Sequence, residues 1–232
     1  MKKYYYGAVA FYLLALVSYI TYQYSAQRSE LITKIDQKLI QCASVSDQLL
    51  SSSLHTPDMN AESITSEQDL HNRLSLSRFA ETMKVKYVYS FIIQEGNKVY
   101  FTSSSATPEE LKSGDDISYY FDEYTETTPG LFKAFETRKM QFEESVDQWG
   151  HFRSVYLPHI SPSGRFYITG SDIEISNIDA QLHALLVKAF RDTLFYTLIL
   201  IPFFIAYRMH NLTIQKELSR QVDERTEDLQ ER

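Results

Sequence analysis

Residues 140–173 read MQFEESVDQWGHFRSVYLPHISPSGRFYITGSDI, and this stretch decides the fold. Three runs in it, MQFEESV, HFRSVYLPHI and RFYITGSDI, are rich in the β-branched and aromatic side chains that suit a pleated surface. They are separated by Asp147-Gln148-Trp149-Gly150 and Ser161-Pro162-Ser163-Gly164, residue types that close tight hairpins. The stretch therefore predicts three consecutive antiparallel strands.

Working upstream, YVYSFIIQ (87–94) and VYFTSS (99–104) flank a Glu95-Gly96-Asn97 turn and predict two further strands. Between the two strand groups, short helices are expected from Pro108 to Lys112, begun at Thr107, and over Gly130–Thr137. Leu31, Ile35, Leu39, Ile40, Ser46, Leu49 and Leu50 recur near the helical period and predict a helix over residues 25–55. Thr56-Pro57-Asp58 breaks it. A second helix is expected from Ser66, whose hydroxyl would cap it, with Leu70, Leu74, Phe79 and Met83 facing inward. Downstream, Ser176 is expected to cap a helix that runs on without a break. The fold class is α+β: one domain with a five-stranded antiparallel sheet, not a doubly wound α/β fold.

Two apolar segments flank this domain. From Tyr4 to Gln27 no residue is charged, and 4–22 is apolar except for Ser18 and Thr21. At about 1.5 Å per residue that is enough helix to cross about 30 Å of hydrocarbon. A cleaved signal peptide is the competing reading, but the run is too long for one and Tyr24 spoils the small-x-small cleavage pattern. Lys2 and Lys3 before it favour a cytoplasmic N-terminus. The second segment, TLFYTLILIPFFIAY (193–207), is short and also fits a buried helix of a soluble core. The apolar residues upstream of it, the basic Arg208, His210, Lys216 and Arg220 downstream, and Pro202 inside it favour a membrane span. The expected organisation is a cytoplasmic N-terminus (1–3), a first span (4–24), an exported domain (25–190), a second span (191–208) and a cytoplasmic helix (209–232). In that last segment Ile214, Leu218, Val222 and Leu229 recur among dense charges, as at the start of a parallel coiled coil that pairs two copies.

Composition narrows the function. Aromatic residues make up 14% of the 232, too many for a disordered chain, and the single cysteine excludes a disulfide framework. Cys42 reads as a small residue on a helix face. The net charge of -7 argues against nucleic acid as a partner. Residues 25–190 hold 15 basic and 23 acidic side chains, so the acidity belongs to the exported domain. The six histidines have no paired spacing, and no phosphate-cradling glycine loop or Ser-His-Asp order occurs. No metal, no cofactor and no enzyme activity are expected.

Asp147-x-Trp149-Gly150, Ser154, Pro158, Gly164, Gly170 and Asp172, followed by an amphipathic helix, resemble the extracytoplasmic Cache sensor domains of bacterial receptors. These domains are PAS-like, and the resemblance, to a single Cache, covers about residues 28–190. Val222-x-Glu224-Arg225-Thr226-x-x-Leu229 resembles the signalling helix that joins such sensors to histidine kinase or diguanylate cyclase domains. The resemblance implies a two-pass protein of the bacterial inner membrane with a periplasmic domain. Its implied partners are a small-molecule ligand, the membrane lipid and a second copy of the chain. No output domain lies within these residues, so no catalysis is carried over.

In domains of this kind the ligand cleft lies between one sheet face and the loops after the second strand. Carried onto this chain, that implies Tyr119, Tyr120, Tyr124, Trp149 and Tyr156 as aromatic walls. Arg153 would then be a fork for a ligand carboxylate, and Asp172 a holder of a ligand amine or an organiser of the strand-to-helix junction. Arg153 alternates with Val155 and Leu157, yet Phe152 and Tyr156 make the other face apolar too, so its face stays open. A salt bridge to Asp172 or Glu174 is the structural alternative. The aromatics equally suit core packing, and Asp147 suits the hairpin turn. The acidic loop Asp115–Glu126 reads as solvated or as a cation site. Two functions follow: a transmembrane sensor of a small solute, or a membrane-anchored module that binds a protein partner.

Overall fold

The computed structural model describes residues 2–50, 54–147, 150–176 and 178–230. Among these, five α-helices and five strands follow in the order α1 (Lys2–Leu49), α2 (Ser66–Met83), β1 (Tyr87–Gln94), β2 (Lys98–Ser104), α3 (Pro108–Ser113), α4 (Pro129–Thr137), β3 (Gln141–Asp147), β4 (Gly150–Ile160), β5 (Phe166–Glu174) and α5 (Ile178–Gln230). The strands form one antiparallel sheet in the order β2-β1-β5-β4-β3. The expected α+β class and five-stranded antiparallel sheet are thus present.

The chain divides into two compact units. One holds residues 1–26 and 180–232, the other Gln27–Asp179. Within the first, the Tyr12 hydroxyl lies 2.6 Å from Thr197 Oγ1. Among the described residues one helix is long and apolar enough to cross a membrane, the stretch Leu182–Thr226. Pro202 sits inside α5, which nevertheless stays helical through Gln230. The first expected span is helical from Lys2, and a second membrane helix is not established among the described residues.

In the second unit the sheet carries helices on both faces. Val88 and Ile92 of β1 and Val155 of β4 point to one side. There Val88 packs with Leu76 and Ala80 of α2 and Cys42 of α1, and Val155 packs with Leu39 and Ala43 of α1. Cys42 is buried, and burial pushes its thiol up from the usual range. Tyr89, Phe91, Tyr156 and Ile168 point to the opposite side, where Leu131, Ala134 and Phe135 of α4 cover part of the face. The uncovered part of that face is where the candidate site lies.

Local chemistry sets the element ends. Thr65, not Ser66, caps α2 in a reciprocal box with Gln68, and Thr107 does the same for α3 with Glu110. The inward face of α2 matches the expected one in part, with Phe79 and Met83 packed against the core around Val88. Asp69, Arg73, Leu76, Ser77 and Ala80 are buried, whereas Leu70 is 47% exposed. Helix α1 ends at Leu49 rather than near residue 55. At the other end of the domain, the Ser176 hydroxyl accepts the His151 backbone N–H at 3.1 Å and so ties the strand-to-helix junction to β4.

Candidate functional site

A cavity of about 550 Å³ opens between the uncovered sheet face and the segment running from α3 to α4. That is within the usual size range for small-ligand sites. Its floor is built by alternation. Tyr87, Tyr89 and Phe91 of β1 point into it while Val88, Ser90 and Ile92 point to the helices. On β4, Phe152, Ser154 and Tyr156 line it, and Asp172 of β5 completes the floor. Gly170 makes this packing possible. It pairs with Tyr89 on one side and Tyr156 on the other, and a Cβ there would overlap the Tyr89 ring, 2.9 Å from its hydroxyl oxygen.

The opposite wall is the loop after α3. It docks as a partial sixth strand along the β2 edge: Phe121 N donates to Phe101 O at 2.8 Å, Phe101 N to Asp122 O at 3.0 Å, and Tyr124 N to Val99 O at 2.8 Å. This covers an otherwise open sheet edge. Phe121 takes a φ of 67°, a costly conformation for a bulky side chain. The pairing places the Tyr124 ring 4.9 Å from Phe91 in a stack and 5.2 Å from Phe101 edge-on.

The polar groups of the cavity are mostly acidic. Tyr89 donates its hydroxyl to Asp172 Oδ1 at 2.6 Å, and Tyr87 donates to Glu110 Oε1 at 2.5 Å. Burial, then the neighbouring carboxylates, push both phenols far above their ordinary range. Tyr156 is shifted the same way, by burial first and by Asp172 second, and its hydroxyl lies 2.9 Å from Thr128 Oγ1. All three phenols stay protonated, and those of Tyr87 and Tyr89 donate to carboxylates.

Of the residues expected at the site, Tyr124, Tyr156 and Asp172 line the cavity, and Tyr119, Tyr120 and Arg153 do not. Trp149 and the Asp147 side chain lie outside the described residues. Arg153 points to the helix face, where its Nε and Nη2 grip the Asp36 carboxylate at 2.5 and 2.8 Å and its Nη1 meets Glu144 at 2.9 Å. It is neither a fork aimed into the cavity nor a partner of Asp172 or Glu174. The bidentate pair fastens β4 to α1. Arg153→Ala is expected to cost about 2 kcal/mol, because it strands the partly buried Asp36 carboxylate. In denaturation of the full chain, Arg153→Leu with Asp36→Leu should recover part of that loss; the absence of any recovery would show that the pair contributes nothing.

Tyr119 and Tyr120 instead hold the outer side of the loop. The Arg73 guanidinium lies 4.4 Å from the centre of the Tyr119 ring, and Tyr120 donates its hydroxyl to Asn60 O at 2.9 Å. Arg73, 4% exposed, is itself paired with Asp69 one helical turn away. Burial holds the Asp69 carboxyl above its usual range despite that cation.

Sequence reasoning missed Tyr87, Tyr89, Phe91 and Phe101. The alternation Tyr-x-Tyr-x-Phe in 87–91 was the available signal, since it gives one face of the strand to aromatics. It also missed a polar cluster on the helix side. His55 Nε2 lies 2.9 Å from both Ser90 Oγ and Thr102 Oγ1, and its ring stacks on Tyr167 at 3.7 Å. Tyr167 in turn donates to Asp47 and stacks with His159 at 5.2 Å. No group of three or more potential metal ligands occurs among the described residues.

No family model matches the chain, and no curated protein matches it. Among solved structures, it is similar to the sensory domain of the Campylobacter jejuni chemoreceptor Tlp3 (CcmL). The identity is 13%, the TM-score 0.42, and the overlay covers 67% of this chain and 57% of that one. The same receptor's ligand-binding domain in complex with L-valine gives 12% identity and a TM-score of 0.45, covering 73% and 61%. With isoleucine bound, the values are 12% and 0.43, covering 73% and 60%. The chain spans about three fifths of the length of these domains. The overlay is partial, and the fold rests on the strand order and register of the sheet itself.

Proposed function

We propose that this protein is a transmembrane signalling receptor whose domain 27–179 faces away from the cytoplasm and binds a small solute. The observation that carries the reading is the continuity of the chain from the cavity to the apolar helix. Asp172 lines the cavity, and only six residues later α5 begins and runs through the apolar stretch to Gln230. A ligand that prefers one arrangement of the β5 end would shift the helix that follows it, which is the two-state element signalling needs. The first span over 4–24, both termini in the cytoplasm, and a parallel homodimer through 209–232 belong to the same proposal. So does an output domain of diguanylate cyclase or histidine kinase type, as in a two-component system. The protein-interaction alternative has less support, because it gives no role to a cavity with aromatic walls. No catalytic role is proposed for these residues.

Topology supplies the test. Reporter fusions after Ser53 and after Arg232 should read as exported and cytoplasmic respectively. A cytoplasmic signal from both would sink the two-span receptor.

A further inference from the structure

The cavity is chemically one-sided. Glu110, Asp116, Asp122, Glu123, Glu126 and Asp172 line it, and no lysine, arginine or histidine does among the described residues. Lys98 offsets one of these charges from outside the lining, its Nζ meeting Glu123 Oε2 at 2.8 Å. Arg153, the basic residue that the sequence offered for a ligand carboxylate, is committed to Asp36 and Glu144 on the other side of the sheet. A carboxylate ligand would therefore enter among like charges with no cation in the lining to receive it. A cation would meet acidic side chains together with the Tyr89, Tyr124 and Tyr156 rings.

We propose that the cavity takes a small organic cation, a protonated amine that carries no carboxylate, held by Asp172 and Glu126 and by the Tyr89, Tyr124 and Tyr156 rings. This names the ligand class of the sensor proposed above and rests on that reading. Asp172 is the principal anchor, because it sits on the strand that leads into α5 and is oriented by the Tyr89 hydroxyl. The acidic residues of the loop, Asp116 and Glu126, supply the attraction at the mouth. A diamine fits this division better than a monoamine, with one ammonium at the floor and one at the loop.

The test uses the full chain in lipid nanodiscs, with calorimetric titration of 1,4-diaminobutane, butylamine, butyrate and L-valine. Expected is binding of the two amines, the diamine at least tenfold tighter, and none of butyrate. Asp172→Asn should weaken the diamine at least tenfold. Since that change also replaces the charged acceptor of the Tyr89 hydrogen bond by a neutral amide oxygen, Glu126→Gln provides a second variant, expected to weaken it severalfold with an unchanged melting temperature. Raising the salt should weaken amine binding further. Binding of butyrate or L-valine as tight as the diamine, and lost in Tyr156→Ala, would overturn the amine class while leaving the sensor reading in place. Amine binding indifferent to both acidic substitutions would place it outside the cavity and overturn the proposal. Failure of every probe would count against both the class and the sensor.

Discussion

Gly170→Ala is expected to destabilise the domain by about 1–3 kcal/mol and to weaken ligand binding at least tenfold. The two effects share one cause. Gly170 lies between Tyr89 and Tyr156 in the register of β1, β5 and β4, and the Tyr89 ring occupies the space that a Cβ would fill. Adding the methyl forces that ring off the strand, and with it the hydroxyl that donates to Asp172. The strand cannot yield instead, because it is the central one and hydrogen-bonded on both sides. A double mutant separates overpacking from any backbone effect. In a Tyr89→Ala background the alanine at 170 should cost less than about 0.5 kcal/mol, since the overlapping ring is gone. Gly7→Ala is the control, because nothing lies within 4 Å of a Cβ there. Chemical denaturation followed by near-ultraviolet circular dichroism gives the stabilities. Equal costs in both backgrounds would refute the packing argument.

The contrast between Gly170 and Arg153 shows where the sequence was legible. Strand positions followed from composition and turns: 87–94, 99–104 and the three later runs all fall on β1 to β5. Which face each strand buries did not follow, because β4 is apolar on both sides, as Phe152 and Tyr156 oppose Val155 and Leu157. The partner that decides the face, Asp36, is 117 residues away on α1, beyond the reach of any local pattern. Helix α2 was legible only in part for a related reason: Phe79 and Met83 pack inward as expected, and Leu70 does not. Its inward face also carries Asp69, Arg73 and Ser77, polar groups that find partners within the fold and that hydrophobic periodicity passes over. The starts of α2 and α3 were legible to within a residue, because capping chemistry is local. For the cavity, Tyr124, Tyr156 and Asp172 were reached through resemblance, whereas the acidic sign of its charged lining depends largely on which residues the loop carries inward.

Acidification should unfold this domain through His55. The residue is 3% exposed, and burial pushes its imidazole down to about 4 even though Asp47 pulls the other way. In the unfolded chain the same group titrates at about 6.5. Between those values the unfolded state binds a proton that the folded state refuses, so stability is complete above about pH 6.5 and falls as the pH drops toward about 4. At about 1.4 kcal/mol per unit the loss approaches about 3 kcal/mol. The geometry explains the refusal. The ring is buried against Tyr167, and the two groups within hydrogen-bond reach of its Nε2, the Ser90 and Thr102 hydroxyls, are uncharged and cannot offset an imidazolium. His159 reinforces the trend, since burial lowers it as well. Asp69 opposes it: its carboxyl is held above the usual range, so the folded state takes up that proton more readily and gains as the pH falls. Comparison with His55→Gln isolates the contribution. Glutamine keeps an amide for the two hydroxyls but cannot titrate, so the variant should be less stable at about pH 7.5 and show a flatter loss down to about pH 4.5. Parallel pH profiles for the two proteins would assign the acid sensitivity to other groups. Because Ser90 and Thr102 belong to β1 and β2, whose opposite face floors the cavity, protonation of His55 in the folded protein, near about pH 4, is also expected to weaken ligand binding.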